Sequence, residues 1–169
     1  SAPDGIFGAK IALSFPSVGA TENIMLTAVK AKGTTVITNA AKEPEIVDLA
    51  EFLSSCGARI SGAGESTIII EGVEKLHGTK HSIIPDRIVA ATLMSAIAAT
   101  KSKATLDRVI LSHLSAITPV FEQVGCELSF KEGKLTVASP YRLHSPKLIR
   151  TMPYPGFPTD AQAPVMAMT

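Results

Sequence analysis

The chain has 169 residues, and 46% of them are hydrophobic, which is enough for one ordinary domain or two very small ones with buried cores. Its 16 Lys and Arg nearly balance its 15 Asp and Glu, and this balance argues against a nucleic-acid partner or an anionic membrane surface. The most apolar stretch, residues 88–100, is shorter than the ~20 residues that span a bilayer, and no signal segment opens the chain. We therefore expect a cytoplasmic protein.

Hydrophobic periodicity predicts an alternation of strands and helices in the first half of the chain. Strands are predicted at residues 10–14, 34–39, 58–61 and 67–71, and helices at residues 20–32 and from Pro44 to the residue before Gly57. Gly33 is predicted to end the first of these helices. The predicted order is β-α-β-α-β-β.

The same order is predicted again in the second half, with helices at residues 87–100 and 115–124 and strands at residues 104–107, 126–130 and 134–137. Residues 57–60 align with residues 125–128 at a shift of 68, which indicates a duplicated subdomain. Pro119 is expected to kink the second helix of this copy or to shift its start. A strand at residues 147–151 and an apolar helix from Ala161 would begin a third unit, so we expect a fragment of a longer protein.

A turn of small residues joins the first predicted strand to the first helix and is the best candidate for an anion site. Ser17, Val18 and Gly19 precede the helix, where free backbone amides and the positive helix end favour a phosphate. Ser17 and Thr21 add hydroxyl donors. The alternative is that one of these hydroxyls only caps the helix.

Acidic residues at other predicted helix starts carry the same ambiguity. Asp160 could be a general base or bind a sugar hydroxyl, or it could cap the last helix. Glu43 and Glu45 flank Pro44 in a first helical turn, where negative charge is favourable for structural reasons. Asp86 and Arg87 are expected to form an ion pair or a cap at the junction of the two repeats.

Other chemistry has little support in the sequence. The four His are scattered, and Cys56 and Cys126 lie seventy positions apart without a C-x-x-C spacing, so we predict no metal site and no disulfide framework. No G-x-S-x-G motif is present, and neither cysteine has a neighbouring base at a glycine-rich turn. We expect no cofactor.

Seven ordered segments give the chain a resemblance to a known family: residues 16–25, 33–35, 39–49, 57–64, 70–73, 85–87 and 155–163. They resemble the UDP-N-acetylglucosamine 1-carboxyvinyltransferases, a family of enolpyruvyl transferases. The resemblance implies transfer of an enolpyruvyl group from phosphoenolpyruvate to the 3-hydroxyl of UDP-N-acetylglucosamine in peptidoglycan synthesis. It also implies an α/β (α+β) fold of repeated β-α-β-α-β-β units in a two-domain inside-out α/β barrel, incomplete here. Residues 1–84 would end the first domain, and residues 85–169 would begin the second.

The resemblance also assigns roles to individual residues. Ser17, Val18 and Gly19 match the segment that holds the UDP diphosphate, and Asp160 matches the general-base candidate that bonds the sugar 3-hydroxyl. Thr159 would contact the sugar, and Glu43 and Asp86 match acidic residues near the cleft between the domains.

The family's loop cysteine, its early Lys-Asn pair and its phosphoenolpyruvate-binding arginines are expected to lie outside this chain. We therefore expect no catalysis by the chain alone, with the missing part of the same enzyme or a second copy as its partner. Two alternatives stay open: a non-catalytic relative that acts as a binding or assembly module, and the related shikimate 3-phosphate enolpyruvyl transferase.

Overall fold

The first half of the chain folds as four strands and two helices in the computed structural model, which describes residues 5–169. In chain order they are β1 (Lys10–Ala12), α1 (Val18–Ala28), β2 (Thr34–Thr38), α2 (Pro44–Ser55), β3 (Arg59–Ser61) and β4 (Thr67–Glu71). The sheet order is β1-β2-β4-β3, in which β1 is parallel to β2 and β4 is antiparallel to both of its neighbours. The predicted β-α-β-α-β-β order is confirmed here.

Alternation along the strands decides which face of this sheet is buried. Ile37 pairs with Ile68, and both are fully buried together with Ile70, whereas Ile69 is 41% exposed on the opposite face. The buried face packs against α1 and α2 through Met25 and other apolar residues of the two helices. Burial of this one face holds the helices in place because each buried aliphatic side chain contributes ~1.5–3 kcal/mol.

The second half contains three helices and a three-stranded sheet. The elements are α3 (Arg87–Ala99), β5 (Lys103–Leu106), α4 (Thr118–Gln123), β6 (Glu127–Lys131), β7 (Lys134–Ala138) and α5 (Gln162–Met168), with 3-10 turns at Leu111–Leu114 and Thr159–Ala161. The sheet order is β5-β7-β6, with both pairs antiparallel. Contacts between Cα atoms divide the chain into two compact units, Ser1–Ile84 and Pro85–Thr169. Their assignment to the two domains of a larger enzyme stays a prediction.

The expected duplication is visible in matching backbone hydrogen bonds after the second helix of each unit. The Ala58 amide bonds the Leu53 carbonyl at 3.0 Å, and 68 positions later the Cys126 amide bonds the Phe121 carbonyl at 2.9 Å. Gly57 and Gly125 both adopt positive φ, at 99° and 98°, a conformation that glycine adopts without strain. The mixed α/β fold class and the repeat are confirmed.

The second copy lacks one predicted element. No strand precedes α3 among the described residues of its unit, so the prediction of a complete β-α-β-α-β-β order is wrong there. The residues after β4 are irregular and belong to the first unit, where the Val73 amide donates to the Val29 carbonyl and the His77 amide to the Cys56 carbonyl.

Two predicted helix boundaries and one predicted strand are also corrected. Helix α1 ends at Ala28 and not near Gly33: the Ala31 amide bonds the Ala28 carbonyl at 3.0 Å, and the carbonyl of Val29 accepts from the Val73 amide outside the helix. Helix α4 starts at Thr118, which places Pro119 in its first turn, where a missing amide proton does no harm. The predicted strand at residues 147–151 is absent except for a single bridge between Thr151 and Phe157.

Candidate functional site

Ser17 caps the first turn of α1. Its backbone is extended, and its Oγ accepts a hydrogen bond from the Ala20 amide at 3.3 Å. The capping role that the sequence left open is therefore present. A serine hydroxyl that accepts from an amide still has its own proton to donate, so this cap leaves Ser17 able to bind an anion.

The next two residues present backbone amides at the same helix end. The first bond of the helical pattern joins the Thr21 amide to the Ser17 carbonyl at 3.0 Å, so the amides of Val18 and Gly19 precede that pattern. Gly19 is exposed, and a Cβ at this position would meet no atom within 4 Å. Two amides, one hydroxyl and the positive end of α1 thus form a surface that suits a phosphate.

Thr21 is fully buried and does not belong to that surface. Its hydroxyl donates to the Ser17 carbonyl at 2.8 Å and accepts from the Ala41 amide at 3.1 Å. The prediction that Thr21 offers a donor to a phosphate is therefore wrong, because its only proton is already bonded. The hydroxyl instead joins the Ser17 turn to the loop before α2.

That loop ends at Glu43, which precedes Pro44 at the start of α2. The Glu43 side chain is 6% exposed and makes no capping hydrogen bond, while its carbonyl accepts from the Ile46 amide at 2.9 Å. The structure thus links the Ser17 turn to the loop that carries Glu43 through the Thr21 hydroxyl. A role for Glu43 at the cleft stays a prediction.

Asp86 is the cap of α3. Its Oδ1 accepts from the Ile88 amide at 2.7 Å and from the Val89 amide at 3.0 Å. Two charge-assisted bonds to a helix start account for an aspartate at this position. The cap that the sequence left open is observed, and a cleft role for Asp86 stays a prediction.

Thr159 and Asp160 lie together in the 3-10 turn that leads into α5. Both are exposed, and the residues on either side, Pro158 and Ala161, are buried. Ala161 stands at the cap position of α5, and no side chain bonds there, so the capping alternative for Asp160 is not observed. The exposed pair is thus flanked by buried residues, and the Asp160 carboxylate is accessible to accept a hydrogen bond.

Two side-chain contacts were not predicted from the sequence: a cation–π contact and a His–Asp hydrogen bond. The Arg87 guanidinium carbon lies 5.4 Å from the centroid of the Tyr154 ring, and His81 Nε2 lies 2.9 Å from Asp48 Oδ1 beside the Phe52 ring. Spacing could not reveal the second pair, because 33 residues separate its members. Arg87 did leave a signal, since it is the only ionisable residue in the apolar stretch of α3.

The thiols and the polar clusters of the described chain give no further site. Cys126 is buried, which raises the pKa of its thiol, and a hydrogen bond with Ser139 only partly opposes that effect. Among residues 5–169, no group of three His, Cys, Asp or Glu side chains could hold a metal ion. Within the same range, no helix is both long and apolar enough to cross a bilayer.

An apolar cleft of ≈ 250 Å³ lies beside α1 and β1 in the first unit. Its walls include Phe7, Ile11 and Ile24, and none of the side chains that line it is charged. The predicted site residues do not line it. A phosphate would find no counter-charge there, so we do not assign the cleft to a nucleotide.

A family model and two solved structures identify the family and the fold of this chain. The chain belongs to the EPSP synthase (3-phosphoshikimate 1-carboxyvinyltransferase) family, whose model matches residues 3–169. The enolpyruvyl transferase NikO from Streptomyces tendae has the same fold, with a TM-score of 0.79 at 21% identity over 95% of this chain and 41% of that one. An EPSP synthase from Acinetobacter baumannii matches with a TM-score of 0.56 at 23% identity, over 79% of this chain and 31% of that one.

Two curated relatives that are similar in sequence share one enzyme name within this family. A UDP-N-acetylglucosamine 1-carboxyvinyltransferase of Finegoldia magna is 56% identical over 169 residues, which cover 99% of this chain and 40% of the relative. UDP-N-acetylglucosamine 1-carboxyvinyltransferase 1 of Staphylococcus aureus strain N315 is 49% identical over 168 residues, with the same coverage. The chain thus spans about 40% of the length of the curated relatives that it matches. The resemblance drawn from the seven segments is confirmed.

Proposed function

We propose that this chain carries part of the UDP-sugar site of a cytoplasmic enzyme that transfers an enolpyruvyl group to UDP-N-acetylglucosamine in peptidoglycan synthesis. In this reaction the sugar 3-hydroxyl oxygen forms a bond to C2 of phosphoenolpyruvate, and the bond from C2 to the phosphate oxygen breaks. The relatives that are 49% and 56% identical across almost the whole chain carry this activity in their names. The structures at 21% and 23% identity support the fold alone.

The single observation that carries the proposal is the start of α1. The Ser17 hydroxyl and the amides of Val18 and Gly19 meet at one positive helix end and would donate to the UDP diphosphate. In the second unit, Asp160 would take the proton of the sugar 3-hydroxyl, and Thr159 would contact the same sugar. Glu43 and Asp86 would lie near the cleft.

Catalysis should need more than this chain. Positioning and electrostatic stabilisation each lower barriers by several kcal/mol in enzymes, and both depend on a cleft that closes around the two substrates. The residues that would hold phosphoenolpyruvate are expected outside the 169 residues. We therefore propose that the chain acts together with the remaining part of the enzyme.

A chimera tests this function directly. The 169 residues replace the matching segment of the Finegoldia magna relative, and phosphate release is measured with phosphoenolpyruvate and UDP-N-acetylglucosamine. We expect turnover by the chimera, none above background by the 169-residue chain alone, and a fall of orders of magnitude for Asp160→Asn in the chimera. A folded chimera that releases phosphate only with shikimate 3-phosphate would overturn the proposal, as would turnover by the chain alone.

A further inference from the structure

Arg87 is a buried, charged residue at the start of an otherwise uncharged helix. It opens α3 and is 8% exposed, and no other ionisable residue lies between it and Thr100. A guanidinium cannot lose its proton in a protein, so burial of this charge is costly unless the surroundings compensate. A buried arginine at a helix start therefore needs a reason beyond helix formation.

One contact of the Arg87 guanidinium is with the ring of Tyr154. The 5.4 Å from the guanidinium carbon to the ring centroid is within the ~6 Å range of a cation–π interaction, which strengthens where water is excluded. Asp86, the residue before Arg87, bonds two amides of α3 and so fixes the backbone from which Arg87 extends. The pair Asp86 and Arg87 thus combines a cap with a side chain aimed at Tyr154.

Tyr154 lies in the turn of residues 152–157, which leads directly into the 3-10 turn that carries Asp160. The Met152 amide bonds the Phe157 carbonyl at 2.9 Å, and the Gly156 amide bonds the Pro153 carbonyl at 2.8 Å. A Cβ on Gly156 would lie 2.5 Å from Met152 Cβ, so the turn is tightly closed. Phe157 and Ala161 anchor its far end in the core of the second unit, beside residues of α3.

We propose that Arg87 is a positioning residue for Asp160. Its guanidinium holds the Tyr154 ring, and through this closed turn it fixes the direction in which Asp160 is presented. The expected effect on turnover rests on the proposed function. The contact by which Arg87 holds Tyr154 and its turn, here called the clamp, is a property of the chain itself. Arg87 acts through Tyr154 and does not contact the substrate.

The kinetic test uses Arg87→Met and Tyr154→Leu in the chimera, separately and combined. Each substitution removes the same contact from one side, so we expect each to lower kcat about tenfold, with both KM values within about twofold, because misplaced groups lose rate and not substrate binding. The double variant should be no slower than either single one, since the pair acts as a unit. Tyr154→Phe keeps the ring and Arg87→Lys keeps a cation, so both should recover most of the rate.

Matched controls come from a second cation–π pair in the same unit. Lys101 Nζ lies 4.4 Å from the centroid of the Tyr141 ring, and the tyrosine is 85% exposed. Lys101→Met and Tyr141→Leu should leave kcat unchanged. Equal losses in these controls would overturn the proposal.

Hydrogen exchange on the 169-residue chain tests the clamp independently of turnover. We expect faster exchange at the amides of Met152 and Gly156 in Arg87→Met and in Tyr154→Leu, and no change in the two controls. Unchanged exchange, additive losses of kcat, or a raised KM with normal kcat would each overturn the positioning role; the last would indicate direct substrate contact. An inactive wild-type chimera would count against the proposed function, and the exchange result would still decide the clamp.

Discussion

Replacing Thr21 with Val tests the hydrogen bonds that hold the start of α1 against the loop before α2. Val keeps the shape of this fully buried side chain but removes the hydroxyl that accepts from the Ala41 amide. The Ser17 carbonyl keeps its 3.0 Å bond from the Thr21 amide, whereas the buried Ala41 amide loses its acceptor. A buried donor left unsatisfied costs ~1–3 kcal/mol, so we expect the free energy of unfolding to fall by about that amount.

The matched control is Thr21→Ser, which keeps the hydroxyl and loses one methyl group, worth ~0.8 kcal/mol. Urea unfolding followed by circular dichroism gives the two free energies, and hydrogen exchange gives the protection of the Ala41 amide. We expect the Val variant to be the less stable one and to lose protection at Ala41. A Val variant as stable as the wild type, with Ala41 still protected, would refute the role assigned to the hydroxyl.

The two caps and the buried thiol can each be tested by substitution or by chemical modification. Ser17→Ala should lower stability by ~0.5–2 kcal/mol and Ser17→Gly by only a few tenths, as measured by urea unfolding. Asp86→Ala should cost ~0.5–2 kcal/mol, while Asp86→Asn, which can still accept from the α3 amides, should cost less in the same assay. Burial raises the pKa of the Cys126 thiol, so Cys126 should react with iodoacetamide far more slowly in the folded chain than in urea. The protonated Cys126 thiol contributes stability that is complete below the pKa of the unfolded thiol and is lost as the pH rises through the raised pKa of the folded chain. A Cys126→Ala variant lacks this titration, so its stability should fall less at alkaline pH than that of the wild type.

The elements of the first unit could be predicted from the sequence because their apolar residues recur at the spacing of a strand or of a helix. Strands β2 and β4 alternate between buried and exposed residues, and α2 carries its apolar residues at helical spacing between Pro44 and Gly57. Hydrophobic periodicity could not predict the places where backbone groups of distant segments form hydrogen bonds. At the end of α1, the Val29 carbonyl accepts from the amide of Val73, which lies 44 positions further along and leaves no mark on the periodicity of the helix.

In the candidate site, too, local features were predictable from the sequence and long-range contacts were not. The Ser17 cap and the Asp86 cap follow from residue type at a helix start, and the sequence contained both as alternatives. The burial of the Thr21 hydroxyl depends on the Ala41 amide 20 positions away, and the contact of Arg87 with Tyr154 joins residues 67 positions apart. Side chains that act through such contacts can be recognised as charged or polar residues in apolar segments, but their partners come only from the fold.

An NMR titration of the 169-residue chain with UDP-N-acetylglucosamine tests most directly whether the start of α1 binds the UDP diphosphate. We predict that the amides of Ser17, Val18 and Gly19 shift before others, with a Kd of about 1 mM or weaker, because a partial site still bears the ~4–15 kcal/mol cost of association. Shikimate 3-phosphate at the same concentration serves as the comparison and should shift these amides less. Shifts confined to other residues, with the Ser17 turn unchanged at saturating ligand, would contradict a diphosphate site at the start of α1.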